Sequence, residues 1–141
     1  MKIKTLEFSI GGYFSTNYRI KIVHEQLDYQ VDDSPPLGPP KPYVVNLEES
    51  ALSLFKSELE RLEVLSWEKE YFNPGVCDGT QWELEYNIDG KRGKKFGSNA
   101  YPGQSEWEIS FSPTFIDFLR ALNSLIGEEK GFSSSYSSYT S

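Results

Sequence analysis

The sequence predicts an α+β fold, in which an antiparallel sheet of four to five strands carries two helices packed on one face. Three observations support this prediction. Apolar and polar residues alternate with a period of two in several short segments, as they do in half-buried strands. A glycine-containing turn at residues 89–90 joins the clearest pair of these segments. Two longer segments, residues 46–63 and 112–127, repeat apolar residues with helical spacing.

The clearest element is a predicted β-hairpin over residues 78–102. Its first strand carries apolar residues in strict alternation with polar ones: Trp82, Leu84, Tyr86 and Ile88. Asp89 and Gly90 readily take positive φ values, so a type I′ turn is expected there. The returning strand is basic, and its lysines are expected to lie across from Glu83 and Glu85 on the outer face of the sheet.

The N-terminal part of the chain is predicted to form two further strands, residues 2–10 and 17–26. The loop between them carries two neighbouring aromatic residues, Tyr13 and Phe14. Aromatic side chains on such a loop can anchor a partner protein, or they can fold back over the edge of the sheet.

A proline-rich stretch, residues 34–42, dominates the next segment, residues 27–45. Proline lacks a backbone N–H and fixes φ, so this segment is predicted to be an extended loop outside the sheet. Its expected role is that of a semi-rigid connector, and a PxxP-type recognition segment is the alternative. Asn46 is the predicted N-cap of the first helix, which is expected to continue to about Glu63.

The C-terminal part is predicted to add one short strand and the second helix. Alternation over residues 106–111 predicts the strand, with Glu106 and Glu108 on its outer face. Ser112, followed by a proline, has the features of a helix N-cap, and Gly127 those of a helix end.

The segments DGTQWELEY and GSNAYP, separated by a short basic turn, resemble a sequence block of small uncharacterised bacterial proteins. In that family a helix similar to the F-x-x-F-L-x-x-L stretch closes the domain. The resemblance covers residues 67–127. No activity is established for the block, so the resemblance implies a shape and no chemistry. The insert GQSEWEISFSP departs from the family pattern, and no residue role is carried over.

Composition limits the class of protein. A chain of 141 residues with 15% aromatic residues can form one core, predicted over residues 1–130, while the Ser- and Tyr-rich residues 131–141 are expected to form a flexible tail. A net charge of −7 disfavours direct binding to nucleic acid or to anionic membranes. No stretch has the length and apolarity of a membrane span, and a single cysteine suits a reducing compartment, so a cytoplasmic location is expected.

The sequence shows no motif for catalysis or for a cofactor. The single histidine, His24, and the single cysteine, Cys77, have no flanking signature of a nucleophile and its base. Ligand spacings typical of zinc or calcium sites do not occur. The glycines of the hairpin precede no helix, so they do not form a phosphate cradle; Gly93 and Gly97 instead predict a bulge or a close backbone approach. We therefore predict no catalytic residue, no metal and no cofactor.

The leading prediction is a non-catalytic, acidic protein-binding module. Its expected partner is another protein with a basic surface, as for an inhibitor that occupies the groove of a nucleic-acid-binding enzyme, for example an anti-defence (anti-CRISPR-like) protein of a phage or mobile element. The predicted contacts are carboxylates of the outer strand faces and the loop aromatics: Glu83, Glu85, Glu106, Glu108, Tyr13 and Phe14.

Two alternatives remain open at the level of sequence. One is an immunity protein that neutralises a toxin. The other is a small-ligand binder or an enzyme, with a site around Asp78, Asn99 and Tyr101 at the base of the hairpin. Self-association of the chain also remains open.

Overall fold

A computed structural model describes residues 1–12, 17–32, 41–73, 80–104 and 111–127. Within these ranges it confirms the α+β class, because one mixed sheet of seven strands is accompanied by two helices. The strands are β1 (Ile3–Gly12), β2 (Asn17–Val23), β3 (Gln26–Asp32), β4 (Lys41–Asn46), β5 (Glu70–Phe72), β6 (Thr80–Ile88) and β7 (Lys91–Ser98). The helices are α1 (Glu49–Arg61) and α2 (Pro113–Ile126), and a 3₁₀ turn (Val64–Ser66) follows α1.

The strands lie in the order β4-β3-β2-β1-β6-β7-β5. Neighbouring strands are antiparallel except for β5 and β7, which are parallel. The predicted number of four to five strands was therefore too low, and the prediction of a wholly antiparallel sheet was wrong at one edge. Strand β5 has three residues, which is too short for a period-two pattern to identify it.

Residues 27–45, predicted to be an extended loop, instead contribute most of β3 and the larger part of β4. Leu27 and Tyr29 are buried, whereas Asp28 between them is exposed, so β3 has the alternation of a half-buried strand. Its neighbour β4 is an edge strand, where the proline at position 42 is tolerated. The prolines at positions 35–40 lie outside the described residues.

Helix α1 begins later than predicted, because Asn46 belongs to β4 and is not the N-cap. Asn46 pairs with Gln26 in the sheet, and the N–H of Leu47 donates to the carbonyl of Glu25 at 2.8 Å. These contacts keep the chain extended, and Glu48, with φ −75° and ψ 149°, is the N-cap. The helix ends at Arg61, close to the predicted end.

Helix α2 has the predicted ends. The Ser112 hydroxyl oxygen accepts a hydrogen bond from the N–H of Phe115 at 3.2 Å, Pro113 follows it, and Gly127 adopts φ 104° at the C-cap. The strand predicted over residues 106–111 and the tail at 131–141 lie outside the described residues, apart from Phe111, which is buried.

Helix α2 packs on one face of the sheet through aromatic rings. The Phe118 ring lies 5.2 Å from that of Phe8 on β1, and the Phe115 ring lies 5.1 Å from that of Trp82 on β6. Helix α1 lies beside α2, where the Arg61 guanidinium contacts the Asp117 carboxylate at 3.1 Å. The buried residues of both helices and of this face of the sheet form one hydrophobic core.

The β6–β7 hairpin is confirmed. Asp89 and Gly90 have φ values of 54° and 77°, both positive as a type I′ turn requires. Gly93 and Gly97 of β7 mark no bulge, because the register of the hairpin is continuous; what approaches both glycines closely is a side chain of β6, and a backbone carbonyl is among the nearest atoms only at Gly97.

The two faces of the sheet differ in what covers them. The covered face packs against the helices, and the opposite side, the open face, carries exposed or half-buried side chains of the same strands. Strand β7 departs from the usual burial of apolar residues and exposure of charged ones. Its Lys95 lies on the covered face with 6% exposure. Its Phe96 points to the open face and is 41% exposed.

Candidate functional site

A groove of ≈ 930 Å³ runs across the strands on the open face. It follows two rows of side chains that successive strands place side by side, one row through Ser9 and the other through Gly11 of the central strand β1. Both residues are small, so β1 itself contributes little side-chain volume to the groove. The Asn17 side chain lies directly over Gly11, where a Cβ would be 1.7 Å from the Asn17 Oδ1.

Ion pairs cross the open face between neighbouring strands. The Lys94 Nζ lies 2.8 Å from the Glu83 Oε1, and this hydrogen bond raises the pKa of Lys94. The Arg19 Nε lies 3.3 Å from the Glu7 Oε1. Because Glu7 stands directly opposite Glu85, the Arg19 contact also offsets a like-charge pair. The open face therefore has mixed charge.

Two phenylalanines form the apolar end of the groove. Phe96 of β7 and Phe72 of the edge strand β5 both line it, and Phe72 is 70% exposed. The register pairs Phe72 with Ser98, so the two rings occupy neighbouring rows of adjoining strands. Exposed aromatic residues that lie together on a surface commonly mark an interaction site.

A second concave region, the acidic cleft, lies beyond Phe72 at the same edge of the sheet. It has a volume of ≈ 790 Å³ and lies between residues 62–73 and residues 100–104. Among the described residues that line it, the charged ones are all carboxylates: Glu63, Glu68 and Glu70. Phe72 lines both the acidic cleft and the groove, so the two concave regions are adjacent.

The connector from α1 to β5 is held by three hydrogen bonds, two of them buried, which place the carboxylates of the acidic cleft. The Trp67 indole N–H donates to the carbonyl of Leu62 at 3.0 Å. The Lys95 ammonium of β7 donates to the carbonyl of Trp67, and the backbone N–H of Glu68 donates to the Tyr71 hydroxyl at 2.9 Å.

Burial shifts the pKa of two of these hydrogen-bonding groups, the Lys95 ammonium and the Tyr71 hydroxyl. Burial lowers the pKa of Lys95, and the neighbouring charge of Lys69 lowers it further. Burial also raises the pKa of the Tyr71 hydroxyl. Lys95 also lies 6.0 Å from the centre of the Tyr86 ring, which gives its charge a second weak partner.

The predicted partner-binding residues fall into two groups. Glu83 and Glu85 lie on the open face, and Glu83 lines the groove. The others, Tyr13, Phe14, Glu106 and Glu108, lie outside the described residues. Sequence analysis did not identify Phe72, Phe96 or the carboxylates of the acidic cleft as site residues.

The alternative site at the base of the hairpin is largely occupied by packing. Tyr101 is buried, with its ring 4.8 Å from those of Phe111 and Phe115, although it also lines the acidic cleft. Asn99 is buried at φ 57°, and its backbone N–H donates to the carbonyl of Thr80 at 2.9 Å. The third residue of that site, the aspartate at position 78, lies outside the described residues.

His24 is exposed in the turn between β2 and β3, and Cys77 lies outside the described residues. No three His, Cys, Asp or Glu side chains in the described ranges converge as metal ligands. Neither described helix is long and apolar enough to span a bilayer.

No protein-family model and no curated protein matches this chain.

Proposed function

We propose that this chain is a non-catalytic protein-binding module that docks on a basic surface of another protein, as an inhibitor of a nucleic-acid-binding enzyme would. The observation that carries the proposal is the combination of the acidic cleft with Phe72, the most exposed aromatic side chain of the described residues. The net charge of −7 acts in the same direction, because it attracts a basic partner at long range.

The two features make different contributions to binding. Burying an exposed phenylalanine against a partner contributes about 1.5–3 kcal/mol when burial is complete, so Phe72 is the expected anchor. The carboxylates at the rim chiefly increase the rate of association and select against acidic partners. Their effect declines with salt, because the Debye length shortens from about 10 Å at 0.1 M ionic strength to about 3 Å at 1 M.

Binding should therefore depend on both features. The tagged chain is expected to retain a basic nucleic-acid-binding protein from lysate at low salt and to release it at high salt, with mass spectrometry to identify it. The Phe72→Ala variant and the double variant Glu68→Gln/Glu70→Gln should each lose most of the captured protein.

The matched control is the double variant Glu48→Gln/Glu49→Gln. It changes the net charge by the same amount at the other end of α1, about 20 Å from the acidic cleft for a helix of this length. An equal loss of capture by both double variants would show that net charge, and not the acidic cleft, attracts the partner. Retention of an acidic protein would contradict the proposal and would favour the toxin-neutralising alternative.

A further inference from the structure

The groove on the open face has the dimensions of an extended peptide. Its two rows of side chains are two residues apart along each strand, which is roughly 7 Å. An extended chain, with a rise of about 3.3 Å per residue, can follow these rows across the strands. From Phe96 on β7 to Gln30 on β3 the groove crosses five strands, roughly 19 Å, the length of about six extended residues.

The two ends of the groove differ in chemistry. One end has the rings of Phe72 and Phe96. Toward the other end lies Arg19, whose Nε contacts Glu7 while its side chain stays 61% exposed, so the guanidinium is accessible to a second carboxylate. The charge of the Arg19 guanidinium is opposite to that of the acidic cleft, although Glu7 offsets part of it.

The distance between the two ends of the groove predicts how many residues separate the contacting side chains of a bound peptide. The register places Phe96, Glu83, Ser9 and Arg19 in one row, three strand spacings from end to end, which is roughly 14 Å. An extended chain covers that distance in about four residues. An even spacing also directs both side chains to the same side of the extended chain.

We propose that the groove binds an extended peptide arm of the partner, with an apolar side chain at Phe72 and Phe96 and an acidic side chain four positions away at Arg19. This inference rests on the proposed function, since Phe72, the expected anchor, lines both the groove and the acidic cleft. The partner then presents basic groups to the cleft and an apolar–acidic arm to the open face.

The test uses fluorescein-labelled peptides and the full chain, with fluorescence anisotropy as the measurement. The matched peptide is Gly-Leu-Thr-Ser-Thr-Asp-Gly. One comparison peptide moves the aspartate to an odd spacing, Gly-Leu-Thr-Ser-Asp-Thr-Gly, and another replaces the aspartate by lysine. The matched peptide is expected to bind about threefold to tenfold more tightly than either comparison peptide.

Variants assign this preference to the groove. Arg19→Gln should abolish the preference for aspartate, whereas Lys21→Gln, a neighbouring basic residue of β2 outside the groove, should leave it unchanged. Phe96→Ser should weaken all three peptides, and circular dichroism should show that each variant is folded. The Glu68→Gln/Glu70→Gln variant should bind the peptides like the wild type, which separates this proposal from the acidic cleft.

Three results would overturn the inference. They are equal affinity of the wild type for the three peptides, an aspartate preference that survives Arg19→Gln, and no binding at millimolar peptide. Failure of the proposed function would appear differently, as unchanged capture by Phe72→Ala and by the acidic-cleft variant.

Discussion

On the covered face of the β6–β7 hairpin two aromatic rings lie on two glycines, whereas on the open face phenylalanine and lysine point to solvent. A Cβ on Gly97 would lie 2.2 Å from the Trp82 Nε1, and a Cβ on Gly93 would lie 2.2 Å from the Tyr86 hydroxyl. The open face of this hairpin has no such interlock, since its Glu83–Lys94 pair is partly exposed on both sides. One hairpin thus combines a face that determines the fold with a face that is available for binding.

This difference explains why β7 has a buried lysine on the covered face and an exposed phenylalanine on the open face. The rings of Trp82 and Tyr86 occupy the space above β7, so between positions 93 and 97 the covered side of that strand holds two glycines and one long, thin side chain, Lys95. The Lys95 side chain passes between these rings and the connector, where its ammonium binds a carbonyl. Phe96 is consequently left on the open face, beside Phe72.

The largest expected effect comes from breaking the interlock with Gly97→Ala. The new Cβ would meet the Trp82 ring and also the backbone carbonyl of Ala100, at 2.5 Å, and the backbone cannot move aside as a side-chain tip can. Overpacking of this kind costs roughly 1–3 kcal/mol of unfolding free energy. Urea denaturation measures it as a lower midpoint. The control, Ser98→Ala on the open face, should change the unfolding free energy by less than about 0.5 kcal/mol; equal losses would show that the two faces do not differ.

An intermediate effect is expected from two adjacent lysines on opposite faces. Burial lowers the pKa of Lys95 in the folded state. Between that lowered pKa and 10.5 the unfolded chain therefore holds more protons than the folded chain, so the wild type should gain stability relative to Lys95→Met as the pH rises toward 10.5. Hydrogen bonding to Glu83 raises the pKa of Lys94, so the wild type should lose stability relative to Lys94→Met as the pH rises above 10.5.

Urea denaturation between pH 7 and 11 measures both differences. Each comparison is made between the wild type and a single-site variant, so titrations that they share, such as those of the buried tyrosines, cancel. The signs of the two slopes should be opposite. A Lys95→Met difference that is constant over this range would mean that Lys95 titrates normally and is not held in the core.

Much of the covered face could be predicted from the sequence, and the reason is local. The alternation of β6 and the turn at Asp89 and Gly90 determine the register of the hairpin, which in turn places residue 96 opposite residue 83. The outward position of Phe96 was therefore accessible from the sequence, although the sequence analysis assigned Phe96 to neither face.

The acidic cleft could not be predicted, because it depends on contacts between distant parts of the chain. Strand β5 exists only through its pairing with β7, and the carboxylates at positions 63 and 68 approach it because the Trp67 carbonyl is bound by Lys95. In the N-terminal part, the prolines concealed β3 and β4, although the alternation of Leu27 and Tyr29 with polar residues was present. Local patterns thus identified single elements but not the surface that they form together.

The smallest expected effect on stability is that of Phe96→Ala, which tests whether the open face is dispensable for folding. Phe96 is 41% exposed, so its removal should cost less than about 1 kcal/mol of unfolding free energy, against several kcal/mol for a buried phenylalanine. Urea denaturation of the variant beside Gly97→Ala gives the comparison on one strand. A loss of 3 kcal/mol or more would make Phe96 a core residue, and the open face would then be maintained for folding. A small loss, together with weakened peptide binding, would mean that an aromatic side chain is kept in solvent for contact with a partner.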